Sequence, residues 1–183
     1  MNMEYTRTAG FLNGMRKMPE TFFLFDTVTI SNFALADCLD LLAERYGKRL
    51  ALTVEVLDEI ANGVTLGYAQ LQRVEQLVEA NIFTQTTLTW QERRTFRDIL
   101  HQLDSGEASC LAVAHHRKGI VATDDQAARA YCENLEIPFT GTVGILKACC
   151  LEKYITPEKA DCILNRMENC GFYSPVRKLT DLM

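Results

Sequence analysis

Seven acidic side chains fall where a parallel α/β fold would gather them. Asp26 closes the apolar run Thr21–Phe25, and Asp124 and Asp125 close the run Gly119–Thr123. Glu107 opens a helical segment in Leu103-Asp-Ser-Gly-Glu-Ala108, and Glu55, Asp58 and Glu59 sit in the first turns after the run Arg49–Thr53. A helix that follows a strand starts at that strand's carboxyl end. A helix that leads into a parallel strand starts at the same edge, because it runs the other way. Strand-end Asp and helix-start Glu therefore meet where open α/β sheets place their sites. Carboxylates held together repel, and a hard divalent cation, Mg²⁺ or Mn²⁺, is the ion their oxygens suit.

The elements that must position these groups follow from hydrophobic period. Apolar runs of strand length lie at 21–25, 49–53, 119–123 and 136–139, with a β-prone stretch at 82–88. Between them the 3–4 spacing predicts helices over 31–46, from Thr53 to near Gly63, over 67–80, and from the Thr89-Trp-Gln-Glu92 capping box to Leu103. Further helices are expected from Asp104 or Ser105 to His115, over 126–135 and 143–152, and from Pro157 to Gly171. Alternating strands and helices predict a three-layer α/β/α fold with a mainly parallel central sheet. Residues 1–20 read as a leader, 21–175 as one domain and 176–183 as an extended or disordered tail.

Bulk properties narrow the function. Of 183 residues 48% are apolar, enough for one buried core. A net charge of −5 argues against a sequence-specific DNA-binding module, though basic patches can stay local, as at Arg93, Arg94 and Arg97 or at Arg117 and Lys118. Seven cysteines without a Cys-x-x-Cys fit small apolar side chains in a reducing cytoplasm better than a disulfide framework. Cys149, Cys150, His115 and His116 lack the spacing of a zinc site. No run reaches the ~18 apolar residues of a membrane span, and the N-terminus lacks a signal peptide's apolar region, so a cytoplasmic location is expected.

The chemistry open to this set is limited. His101, His115 and His116 are the only histidines, none at a predicted strand end, so no Ser-His-Asp or Cys-His set emerges. No phosphate-binding Gly-rich loop is present, although Thr140-Gly-Thr-Val-Gly144 could offer backbone N–H groups to a phosphate at a helix start. Carboxylates with Mg²⁺ and no histidine suit phosphodiester hydrolysis. There one metal ion activates water and a second, ~3.5–4 Å away, steadies the leaving oxygen. Each carboxylate also has an ordinary structural use: Asp26 and one of Asp124 and Asp125 as helix caps, Glu55 and Glu107 as first-turn residues complementing a helix dipole. Glu59 shares a helix face with Glu55 and is the better candidate ligand of the two.

Phe25-Asp-Thr-Val-Thr-Ile30, Val56-Leu-Asp-Glu-Ile60, Leu103–Ala108 and Val121-Ala-Thr-Asp-Asp-Gln-Ala-Ala-Arg129 resemble, in order, the motifs of PIN domains. Ile137–Leu146 and Leu151–Pro157 resemble a subgroup of predicted nucleic-acid-binding PIN proteins related to VapC-type toxins, and the likeness runs from about residue 21 to 175. The resemblance implies a Mg²⁺- or Mn²⁺-dependent ribonuclease whose ligands are Asp26, Glu59, Glu107 and Asp124 or Asp125; for gripping the RNA backbone the basic Arg93–Arg97 face is the weaker, electrostatic candidate. Glu107 stands where many members carry Asp, and Val28 where many carry Ser. Family members are often homodimers paired with a small antitoxin. A haloacid-dehalogenase-type phosphatase would need a second Asp at the position of Val28. The other rival is a PIN-like module that binds RNA or protein without catalysis.

Overall fold

In the computed structural model, which describes residues 21–183, five short strands form one sheet. They are β1 (Phe23–Phe25), β2 (Leu50–Thr53), β3 (Thr84–Thr86), β4 (Ile120–Ala122) and β5 (Phe139–Thr140). Every neighbouring pair is parallel, in the order β3-β2-β1-β4-β5. The helices of these residues are α1 (Thr27–Leu35), α2 (Leu39–Tyr46), α3 (Val54–Thr65), α4 (Gln72–Glu79) and α5 (Trp90–Ile99). They continue with α6 (Ser105–Arg117), α7 (Gln126–Asn134), α8 (Thr142–Leu151) and α9 (Pro157–Asn169). This is the three-layer α/β/α arrangement with a parallel sheet. The central strands are buried almost throughout, as expected for a sheet covered on both faces. The predicted leader lies outside the described residues.

Side-chain caps begin the helices that leave the carboxyl ends of the central strands. Asp26 caps α1, Thr53 caps α3 and Asp125 caps α7, each accepting a backbone N–H three residues on. From β1 the chain moves outward through β2 to β3, then returns to place β4 on the other side of β1. The direction of winding thus reverses between β1 and β4, and open α/β sheets have their crevice at such a point. Asp26 stands directly after β1, and Asp124 and Asp125 follow β4 by two and three residues.

Several boundaries differ from the sequence expectation. The helix predicted over 31–46 is two: α1 starts at Thr27, because Asp26 caps it, and the chain breaks at Asp37 with φ 51°. Cys38 N–H returns to the Phe33 carbonyl across that break. The segment 67–80 begins with Gly67 at φ 104° and a 3₁₀ turn before α4. The last strand shifts to Phe139–Thr140, because Ile137 N–H still closes the end of α7 and Pro138 has none to give. The tail is anchored rather than loose: Leu179 is fully buried, and Asp161 accepts from the N–H groups of Leu179 and Thr180 and from the Thr180 hydroxyl.

One ion pair joins the outer layer to the sheet. Glu92, almost wholly buried, closes the capping box by accepting Thr89 N–H at 2.6 Å. Arg117 at the end of α6 meets both Glu92 oxygens, at 2.5 and 2.7 Å, and also donates to the Thr86 hydroxyl and the Thr87 carbonyl. Arg117 is therefore spent on the fold and not available as part of a basic patch. Burial pushes the Glu92 carboxyl up, but Arg117 and the Thr89 N–H outweigh it and hold it below its ordinary value. Removing the cation strands a buried charge, so Arg117→Met should cost about 3 kcal/mol in urea unfolding at pH 7. A group with a depressed folded pKa stabilises above its unfolded pKa and loses that contribution as pH falls. The gap between variant and parent should therefore narrow on acidification below the usual carboxylate range.

Candidate active site

At the β1/β4 crevice the strand ladder continues one step beyond β1, with Asp26 N–H donating to the Ala122 carbonyl at 3.0 Å. This fixes the Asp26 side chain at the bottom of the crevice, where none of its surface reaches solvent. Its Oδ1 accepts Thr29 N–H at 2.7 Å, while Oδ2 is buried with no hydrogen-bond partner. Burial pushes the Asp26 carboxyl up to about 6, against the lowering effect of Thr123 and Thr29, with the charge of Asp124 adding to the rise. Glu107, half-buried in the first turn of α6, is pushed up to about 7 by burial and then by the charges of Asp125 and Asp26. Glu107 thus feels the charges of both Asp125 and Asp26 across the crevice.

Asp124 and Glu59 are held differently. Both Asp124 oxygens are engaged: Oδ1 by Arg129 at 3.0 Å and Thr142 N–H at 3.1 Å, Oδ2 by the Thr142 hydroxyl at 2.5 Å and Asn32 at 3.5 Å. Arg129 also donates twice to the Thr123 carbonyl. Asp124 therefore ties the end of β4 to the start of α8. The N–H of Thr142, foreseen as a phosphate donor, is taken by this carboxylate. Asp125 places one oxygen on Ala128 N–H as the cap of α7. Glu59 accepts Gly106 N–H at 2.8 Å and the Thr27 hydroxyl. It joins α1, α3 and α6 at the point where α6 presents Glu107. Glu55, on the same helix, keeps a buried Oε2 without a partner.

As the side chains lie, no three Asp, Glu, His or Cys groups among the described residues are close enough together to hold a metal ion. The expected convergence is therefore of a crevice and its charges, not of a closed ligand set. The reason is visible in the partners: Asp124 is turned into Arg129 and Thr142, and Glu59 into Gly106 and Thr27. Asp26 Oδ2 remains an unpaired hard-oxygen donor, and Glu107 lies within reach of its charge. Beside Glu107 and Asp125 a cleft of about 420 Å³ opens, walled by the turn 100–104 and by Ala127.

Arg93 and Arg97 both lie on the exposed side of α5, and Arg93 Nε reaches the Leu88 carbonyl at 3.4 Å. Cys149 and Cys150 are buried core residues and His116 bonds to Thr95, which leaves no zinc arrangement among the described residues. Asn32 and Arg129 were not foreseen as site residues, and nothing in the local sequence pairs them, or Thr142, with Asp124. Gly106 was foreseeable. A Cβ there would stand 2.5 Å from Glu59 Oε2 and 2.7 Å from the Thr27 hydroxyl oxygen, so the Ser-Gly-Glu sequence keeps room for Glu59. Gly141 likewise leaves room for the Arg129 guanidinium and the Asp124 carboxylate.

A family model described as a PIN domain matches residues 22–183. Among solved structures, the crystal structure of PAE2754 from Pyrobaculum aerophilum is similar, with 16% identity, 76% of this chain and 93% of that chain covered, and a TM-score of 0.46. No curated protein matches.

Two expectations follow from the geometry. A carboxyl whose folded pKa is raised contributes stability below its unfolded pKa and loses it as pH rises through the folded one. For Asp26 and Glu107 that interval runs from about 4 to about 7, so the metal-free protein should weaken across it. Asp26→Asn keeps a capping side chain and removes the buried charge, and should raise stability by about 2–3 kcal/mol at pH 8 and little at pH 4. Equal melting temperatures of variant and parent at pH 8 would contradict this. Gly106→Ala should displace Glu59. The amide signals of Thr27 and Glu107 should then shift in NMR spectra, while those of the Asp161–Thr180 anchor stay in place.

Proposed function

The chain belongs to the PIN-domain family, a family of nuclease-type hydrolases, and we propose that it is a Mg²⁺- or Mn²⁺-dependent ribonuclease acting as the toxin of a toxin–antitoxin pair. The observation that carries the reading is Asp26 Oδ2, a buried carboxylate oxygen with no partner, beside a second carboxyl pushed up to about 7. A buried polar atom without a partner is costly, and a desolvated carboxylate pair gains most from a cation. Asp26, Glu107 and Asp125 are the residues that would hold it. Their oxygens are the hard donors that Mg²⁺ and Mn²⁺ prefer.

When bound, such an ion supplies activated water and charge neutralisation at phosphorus. The chain's own residues do the rest. Asp26 is fixed by the ladder to β4 and by its cap bond to Thr29 N–H, so its free oxygen points from a rigid base. Glu59 sets the first turn of α6 and with it Glu107, a positioning role through Gly106 N–H. Asp124, with Arg129, fixes α8 against the end of β4. In this reading water is the attacking group. An RNA substrate, a protein antitoxin and a homodimer are the partners this reading brings with it.

A second reading, a module that binds RNA without cutting it, is favoured by the lack of a closed ligand set among the described residues. A cleavage assay on labelled single-stranded RNA separates the two. Cleavage should require Mn²⁺ or Mg²⁺, stop in EDTA, and fall at least ~100-fold in Asp26→Asn and ~10–100-fold in Glu59→Gln. Cutting that persists in EDTA, or in Asp26→Asn, would reject the metal-dependent mechanism. Binding without any cutting would establish the second reading.

A further inference from the structure

The exposed face of α5 has an order that the site does not use. Within α5, Trp90, Arg94 and Arg97 recur at helical spacing and fall within an arc of about 60°, opposite buried Glu92 and Ile99, and His101 follows in the turn after the helix ends. All four are exposed, and Trp90 is 78% exposed at the first position of the helix. A lone exposed aromatic is ordinary, but this one begins a stripe that ends at the cleft. His101 and Gln102 belong to the cleft wall, as do Leu100 on the stripe side and Glu107 with Asp125 on the site side. From Trp90 to Arg97 the stripe is ~10 Å long at 1.5 Å per residue.

We propose that the Trp90–Arg94–Arg97 face of α5 is the track of a single-stranded RNA, which enters the cleft at His101 and Gln102 and so reaches the carboxylate crevice. This deepens the ribonuclease reading and rests on it for the substrate class. Proteins that follow single strands pair cations for the backbone with aromatic faces for bases, and the stripe offers both. Charge decides which part of the strand goes where. Without a cation, Asp104, Glu107 and Asp125 make the cleft acidic and repel phosphate, so the backbone is gripped first by Arg94 and Arg97 while a base is admitted between Leu100 and the polar groups of His101 and Gln102; a cation held by Glu107 and Asp125 would offset that charge and let the phosphate to be cut approach. At about 420 Å³ the cleft lies near the small end of ligand sites, ~300–1,000 Å³, suited to one unit of a strand and not to a duplex. Asp98 flanks the stripe and sets its acidic border.

Trp90 is the only tryptophan of the chain, so its fluorescence reports this contact directly. The full-length protein would be titrated in EDTA with an unstructured single-stranded oligoribonucleotide, so that binding is read without cleavage. Trp90 emission should be quenched on binding. Trp90→Ala should weaken affinity about tenfold, measured by anisotropy of a labelled strand, and Trp90→Phe should retain most of it. Replacing Arg94 and Arg97 by alanine should reduce the slope of log affinity against log salt by roughly 1.4, two contacts at ~0.7 each. Quenching without Mn²⁺-dependent cleavage would sink the ribonuclease reading and keep the track. Cleavage with unmoved Trp90 emission, or with an unchanged KM in the Trp90 and arginine variants, would overturn the track and keep the ribonuclease. A duplex of the same sequence that quenches as strongly as the single strand would also overturn it.

Discussion

The carboxylate of Glu59 is the contact on which the arrangement of the crevice turns. It reaches from α3 to the Thr27 hydroxyl at the start of α1 and to Gly106 N–H at the start of α6. Three helices whose only common feature is that they start at the carboxyl edge of the sheet are joined there by one side chain. A carboxylate at a helix start is favoured by the unpaired N–H groups and by the dipole, so the bond also satisfies α6 where Asp104, the residue before it, makes no side-chain cap. The absence of a Cβ at Gly106 is the condition for this contact. Glu107 is the next residue, and its position in the crevice is inherited from the Glu59 bond.

Around that contact the protein keeps charges in two different states. Asp124, Glu92 and Glu59 are matched by donors and act as structural ties. Asp26 and Glu107 are left in a desolvated space, one with an open oxygen, and both are pushed up from their ordinary range. Pairing can be thorough elsewhere in the same fold, as the four bonds of Arg117 show. The desolvated pair therefore stands apart from these ties, and its place is the point where the winding of the sheet reverses. Perturbed carboxyls in a crevice mark a candidate functional site.

The sequence made the sheet and the crevice readable for a simple reason. Strands covered on both faces are apolar without alternation, and an Asp that ends such a run must lie at the strand's carboxyl end. What could not be read was the choice of partner. The helix expected over 31–46 keeps its 3–4 spacing of Leu35, Cys38-Leu39 and Leu42 straight across the break, so nothing in the period marks Asp37. Asp124 and Asp125 are chemically alike and adjacent, yet one is tied to residues 92 and 18 positions away and the other to its own helix. The tail looked loose because Leu179 stands between Arg177-Lys178 and Thr180-Asp181, and the Asp161 carboxylate that anchors it lies in α9, 18 residues away.

A chain with net charge −5 can still engage a polyanion when its charges are sorted in space. In the crevice Asp124 is paired with Arg129, which shortens the reach of its field, and burial shifts Asp26 and Glu107 toward their neutral forms. Arg94 and Arg97 stand on an exposed helix face at the far side of α5 from Glu92, whose own charge is matched by Arg117. With the Debye length near ~8 Å at physiological salt, a phosphate approaching that face responds to the two arginines before it responds to the total. Net charge then bounds solubility and long-range steering, while the local order of cations, aromatic surface and cleft decides where a strand can lie.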